Sequence, residues 1–210
     1  LIHIRPDGQV DPMFAPNIDG LVDSLALDGN RLFVGIYGFG ALASRGSHVL
    51  AIDAQTGAAA PPSIDVSNPV KELALQPATA DHPARLFVGT ESDGVIGFDA
   101  ETGRPMPEFP GAPMGVSPVT ALAISPDALY VGNSNGVLAL DPGTGQPKTG
   151  FYAGKLRSQY EGEVDVILLD AGRLLVGGDF DRLGALAGPL VALEPATGNP
   201  VARFSAEVPG

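Results

Sequence analysis

The sequence predicts an all-β chain: a β-propeller made of four-stranded antiparallel blades, four of them complete, preceded by a partial one. Three observations carry that expectation. Apolar runs recur in a fixed order, as SLALDGNRLFVG (24–35) and again as VILLDAGRLLVG (166–177). The glycines that close the second run of each unit fall at 35, 89, 132 and 177, a period near 45. The third run always ends in D/E-x-x-T-G: DAQTG (53–57), DAETG (99–103), DPGTG (141–145) and EPATG (194–198). Self-similarity at this period, with four short strands per unit, is the signature of propeller blades.

The elements follow in order. Residues 1–20 form the partial blade, with two strands between Ile2 and Phe14 around the turn PDG. Blade one spans 21–66, blade two 67–110, blade three 111–155 and blade four 156–210. Within each, runs of Val, Leu, Ile, Phe and Ala bounded by Gly, Pro and Asp read as strands A, B and C. DGN, SPDA and DAG make tight A–B turns, where Gly or Asp accepts a positive φ or an Asx-turn. D/E-x-x-T-G turns strand C into strand D, which carries Phe109, Phe151 and Phe204 six residues beyond Gly103, Gly145 and Gly198. Phe14 stands in the same relation to Gly8. One blade cannot bury both of its faces, so these phenylalanines and the L-x-V-G runs are packing residues. A sandwich would lack the fixed internal order of motifs. Two leading strands and four blades are few for a closed ring, so further blades or a partner chain are expected to complete it.

Composition excludes several classes. The 210 residues carry 24 acidic against 12 basic side chains, a net charge of −12, with no Lys/Arg cluster. Nucleic acid and anionic membrane surfaces are therefore not expected partners. No apolar run approaches the ~18 residues that span a bilayer. Without Cys there is no disulfide, thiol chemistry or zinc–thiolate site. The opening LIHIRPDG has neither an initiator Met nor a signal-peptide pattern, and reads as a processed protein or part of a longer one.

DGQVDPMFAPNIDGLVDSLALDGNRLFVG, with LLVGGDFDRLG and LVALEPATGNPVARF, resembles the delta-sixty repeat propellers of bacterial proteins. Blade four matches that pattern best. Blade one has Ile36-Tyr37 where the pattern has Gly-Asp, and blades two and three lack the G-D-F extension. The resemblance implies a propeller common in exported or surface-associated bacterial proteins, and no particular reaction. AIDAQTG and its counterparts are also similar to quinoprotein-type propellers. Those follow the TG with a tryptophan, and their enzymes use a vicinal Cys pair or charged groups around the ring; this chain has no Trp and no Cys. No cofactor is expected.

Strands running up, down, up, down send the B–C and D–A connections to one end of the blades. Extra length is concentrated there, between Gly35 and Asp53, between Gly177 and Glu194, and along AGKLRSQYEGEV (153–164). Loops longer than a fold requires are where binding residues collect. The expected binding face therefore carries Tyr37, Phe39, Arg45, Arg157, Tyr160, Glu161, Glu163, Asp179, Asp181 and Arg182. The alternative is that Asp179 and Phe180 brace a hairpin while the rest form a solvated rim.

Asp179/Asp181 and Glu161/Glu163 place carboxylates at alternate positions, too few for a calcium loop, and nothing selects either pair for glycosidase chemistry. No metal site is expected. His3, His48 and His82 occupy unrelated repeat positions, no serine sits in G-x-S-x-G, and no helix follows a glycine-rich turn to hold phosphate. The polar residues at the starts of the innermost strands are Asp23, Lys71, Thr120 and Asp165, the candidates for an axial channel. The function expected is a non-enzymatic scaffold of an exported bacterial protein, binding a protein or glycan through the long loops. The alternative is a hydrolase, lyase or quinone-dependent oxidoreductase working at the channel, which the convergence of those four residues would favour.

Overall fold

The computed structural model describes residues 1–37, 47–109, 111, 116–159 and 161–201. Among the residues named from sequence, Phe39, Arg45, Tyr160 and Phe204 lie outside these. The described residues contain strands and turns and no helix, so no helix is long and apolar enough to cross a membrane.

Four antiparallel sheets follow one another along the chain. The first is a meander of β1 (Leu21–Asp28), β2 (Arg31–Tyr37), β3 (Ser47–Asp53) and β4 (Ala59–Val66). The second holds β5 (Val70–Gln76), β6 (Arg85–Thr90) and β7 (Val95–Asp99); the third holds β8 (Ala121–Ile124), β9 (Leu129–Asn133) and β10 (Gly136–Leu140). Next come β11 (Leu156–Arg157), β12 (Val164–Asp170), β13 (Arg173–Gly178), β14 (Arg182–Leu183), β15 (Leu186–Ala187) and β16 (Leu190–Leu193). The fourth large sheet is β12-β13-β16, and β11-β14-β15 form a small accessory sheet.

Four-stranded blades are expected throughout; among the described residues one sheet has four strands. In blades two, three and four, the pairing of strand D among the described residues is a single bridge, Phe98 to Pro105, Leu140 to Pro147 and Leu193 to Pro200. Each bridge partner is a proline at a non-hydrogen-bonded position, and its neighbours carry the bonds: Asp99 N donates to Arg104 O and Met106 N to Gly97 O, with the same pair of bonds around Pro147 and Pro200. The two leading strands likewise reduce to one bridge, Ile4 to Val10.

The recurrent D-x-x-T-G is a capped turn. Asp53 Oδ1 accepts hydrogen bonds from Gln55 N, Thr56 N and the Thr56 hydroxyl. Asp99 and Asp141 repeat this with Glu101 and Thr102, and with Gly143 and Thr144. In blade four the longer Glu194 meets only the Thr197 hydroxyl among side-chain contacts of this kind.

The core lies between blades. One cluster joins Phe33, Val49 and Ile64 of blade one to Leu73, Leu86 and Val88 of blade two. A second joins Phe87 and Phe109 to Leu122, Leu129 and Val131, and a third joins Tyr130 and Val137 to Ile167, Leu174 and Val176. The repeated glycine is the socket of this packing. A Cβ on Gly35 would stand 2.8 Å from Cγ1 of Val70, one on Gly89 2.5 Å from Val119 and one on Gly132 2.6 Å from Val164. Val70 and Val164 begin strand A of the next blade and Val119 stands two residues ahead of it, so the period of 45 marks blade-to-blade contact as well as a turn.

Candidate functional site

The start of each inner strand departs from regular pairing. Val22 pairs with Ile36 and Ser24 with Gly35, which leaves Asp23 as an extra residue. Lys71 is extra between Val70 and Glu72, and Asp165 between Val164 and Val166. Such bulges bend a strand and re-aim one side chain. In blade three β8 begins at Ala121, and Thr120 just ahead of it donates its N–H to Gly132 O. Thus Asp23, Lys71, Thr120 and Asp165 hold equivalent places in four successive blades.

These four residues line one open cavity of about 430 Å3, together with Glu91, Pro118, Val119 and Glu163. The cavity opens at the end of the sheets from which the B–C and D–A connections emerge. It sets four carboxylates, of Asp23, Glu91, Glu163 and Asp165, against the single ammonium of Lys71. All four acids are exposed. Lys71 Nζ lies 5.8 Å from the centroid of the Tyr37 ring, a cation–π arrangement that joins Tyr37 to the cavity rim. The Thr120 hydroxyl lies within hydrogen-bond reach of Val164 O and Gly132 O, so it ties blade three to blade four. Glu91 was not legible as a cavity residue. It occupies a short B–C turn fixed by the Thr90 hydroxyl, which accepts from Asp93 N and lies 3.0 Å from Gly94 O. Nothing in ESDG separates it from a solvated rim.

The remaining loop-face residues part company. Arg157 and Arg182 pair in the accessory sheet, where Asp181 N donates to Arg157 O. Gln159 N donates to the Asp181 carboxylate at 2.6 Å. Phe180 and Leu183 are buried in the cluster between blades three and four, so the long connection of blade four is packed structure rather than open loop. Gly154 and Gly184 allow its backbones to cross, since a Cβ on Gly154 would stand 2.4 Å from Gly184 Cα. Asp179 is exposed, two residues ahead of the Asp181 carboxylate that Gln159 N engages. Glu161 lines a neighbouring cleft with Ser134, Leu156, Arg157, Ser158 and Gly162, whereas Glu163 faces the axial cavity. Glu161 and Glu163 therefore face different clefts.

The histidines are locally engaged: His3 Nδ1 is 3.1 Å from Asp11, His48 Nδ1 is 3.3 Å from Asp65, and His82 Nδ1 is 2.8 Å from Pro83 O. Among the described residues no three His, Cys, Asp or Glu side chains cluster to hold a metal ion.

Comparison with solved structures places the fold among propeller-like architectures. The chain is similar to the computationally designed Ika4 protein, at 16% identity and a TM-score of 0.60 over 88% of this chain and 98% of that one. It is similar to BamB from Moraxella catarrhalis, at 17% identity and a TM-score of 0.56 over 92% of this chain and 64% of that one. A third likeness is to the extracellular domain of the putative one component system BT4673 from B. thetaiotaomicron. It shows 19% identity and a TM-score of 0.53, over 89% of this chain and 24% of that one. No family model matches the sequence, and no curated protein matches it.

Proposed function

We propose that this propeller module binds a protein partner through the face where the B–C and D–A connections emerge, with the axial cavity receiving a cationic group of that partner. The observation that carries the reading is the cavity's composition: the equivalent strand starts of four blades converge there, and carboxylates outnumber the single lysine four to one. A lysine or arginine side chain complements such a rim better than a neutral glycan does. The delta-sixty type of repeat and an exported bacterial setting belong to this reading. They are supported by the repeat motifs, and for export by the likeness to a protein described as an extracellular domain.

NMR titration tests this with arginine amide as the cationic probe and a neutral oligosaccharide as its counterpart. Arginine amide is expected to shift the amides of Val119 and Thr120. The shifts should disappear in the Asp23→Asn/Asp165→Asn variant and shrink between about 0.05 M and about 0.5 M salt. Response to the oligosaccharide alone would transfer the reading to a glycan, and response to neither would end it.

The convergence of Asp23, Lys71, Thr120 and Asp165 keeps an enzyme as the second reading. A hydrolytic carboxyl pair needs one acid in a water-poor, apolar setting and the other in a polar one. All four acids here stand in water, which favours binding over catalysis. Turnover of chromogenic glycosides that Asp23→Asn or Asp165→Asn abolishes would reverse that order.

A further inference from the structure

The side of blade one that faces away from blade two is only half covered. Strand A residues alternate between two directions. Leu73 of blade two, Leu122 of blade three and Ile167 of blade four pack back onto the preceding blade and are buried. Their counterpart Leu25 is 45% exposed, and Leu27 two residues on is 60% exposed. Farther out the same side of blade one is closed: Val34, Ile36 and Ile52 are buried against Phe14, with Ile18 packed beside them.

The covering segment holds the position of an outer half-blade. Ala15 N donates to Thr56 O as Tyr152 N donates to Thr197 O, in each case to the T-G turn of the next blade. The Ile4–Val10 bridge stands where Leu140–Pro147 stands in blade three. Strands C and D of a blade are thus in place outside blade one, and the place of strands A and B lies over Leu25 and Leu27. A whole fourth blade from a second copy would bring its own β16 and Pro200 into the space that residues 1–14 fill. The slot fits two strands.

We propose that this slot is a docking site for a β-hairpin that carries the array's own inner-strand pattern, completing a blade by strand addition. Three blade interfaces within the chain specify what the hairpin must present. Its first strand needs small residues where Ala26, Ala74 and Ala123 look toward the next blade, so that Leu25 and Leu27 find room. Its second strand needs a glycine opposite Val22, as Gly35, Gly89 and Gly132 stand opposite Val70, Val119 and Val164. This surface is distinct from the acidic cavity and does not rest on it.

The experiment uses the absence of cysteine from the chain. Leu27→Cys supplies a single exposed thiol, and a copy of residues 120–136 joined ahead of Leu1 supplies the hairpin with its natural B–C turn. Thiol labelling is expected to slow about tenfold or more on adding the hairpin, and the thermal midpoint to rise by roughly 5 °C. A second variant replaces the residue equivalent to Gly132 in the grafted copy by valine, and there both effects should vanish. An unchanged labelling rate would overturn the proposal, as would equal protection by the valine variant. So would labelling of the ungrafted chain that slows with concentration, because a second copy would then be the occupant.

Discussion

Gly132 and Val164 belong to different blades, yet a Cβ placed on Gly132 would lie 2.6 Å from Cγ1 of Val164 and 3.1 Å from Cβ of Ala121. Both neighbours are themselves buried, so neither can swing aside. Gly132→Ala should therefore cost about 1–3 kcal/mol through overpacking, and Val164→Ala in the same chain should recover part of it. A Cβ on Gly177 would be tight only against Val166, at 3.0 Å, with Leu190 and Pro189 O at an ordinary 3.7 Å, and Val166 is 54% exposed with room to move. Gly177→Ala should be nearly silent. Denaturant midpoints of the three variants check this, and equal losses at the two glycines would refute the socket account.

A polar link also joins blades one and two. The buried Ser24 hydroxyl donates to the Glu72 carboxylate and accepts from Leu73 N. Leu73 N also lies 3.1 Å from Glu72 Oε1, so removing the hydroxyl leaves that donor one partner. Ser24→Ala should then lower stability by about 1 kcal/mol, a typical single hydrogen bond, rather than by the larger cost of an orphaned group. Urea unfolding measures the difference.

The capped turns predict an acid limb. Thr56 N–H, then the Thr56 hydroxyl, hold the Asp53 carboxyl below its ordinary value. At Asp99 and Asp141 burial pushes upward, but the hydrogen bonds from Thr102 and Thr144 outweigh it and both carboxyls end below the ordinary value. A depressed folded value means that the unfolded chain binds more protons near the ordinary carboxylate range. Stability is therefore full above about pH 4 and falls as pH drops through the folded values. Thermal melts from pH 6 to pH 2 should show this limb, and Asp141→Asn should flatten it without changing its direction.

The accessory sheet should respond locally. Asp181→Ala removes the acceptor for Gln159 N and should speed hydrogen exchange at residues 182–187. Global stability should fall by less than about 1 kcal/mol, because opening of a peripheral unit is separable from global unfolding. Asp179→Ala should change neither. Exchange that rises across blades three and four together would show instead that the sheet is integral to their core.

Much of this architecture is carried by local chemistry. Alternating apolar runs, a glycine at 35, 89, 132 and 177, and a turn whose Asp and Thr cap each other are short-range signals, and each sits where the sequence alone puts it. Strand D in blades two to four is a case where the pattern overstates: the phenylalanine spacing suggests a strand, but among the described residues the pairing is one bridge, at Pro105, Pro147 and Pro200. The long connection of blade four misleads in the opposite direction, since Phe180 and Leu183 turn it into packed sheet. What only tertiary structure decides is the cavity. Asp23, Lys71, Thr120 and Asp165 are spread over more than 140 residues of chain. They meet because successive blades stack around one axis and because an extra residue at three strand starts turns its side chain inward. Glu91 joins them from a turn with no signal of its own. A sequence determines its own hydrogen-bonded turns and the faces of its strands. Which charges share a cavity depends on distances set by packing between units far apart along the chain.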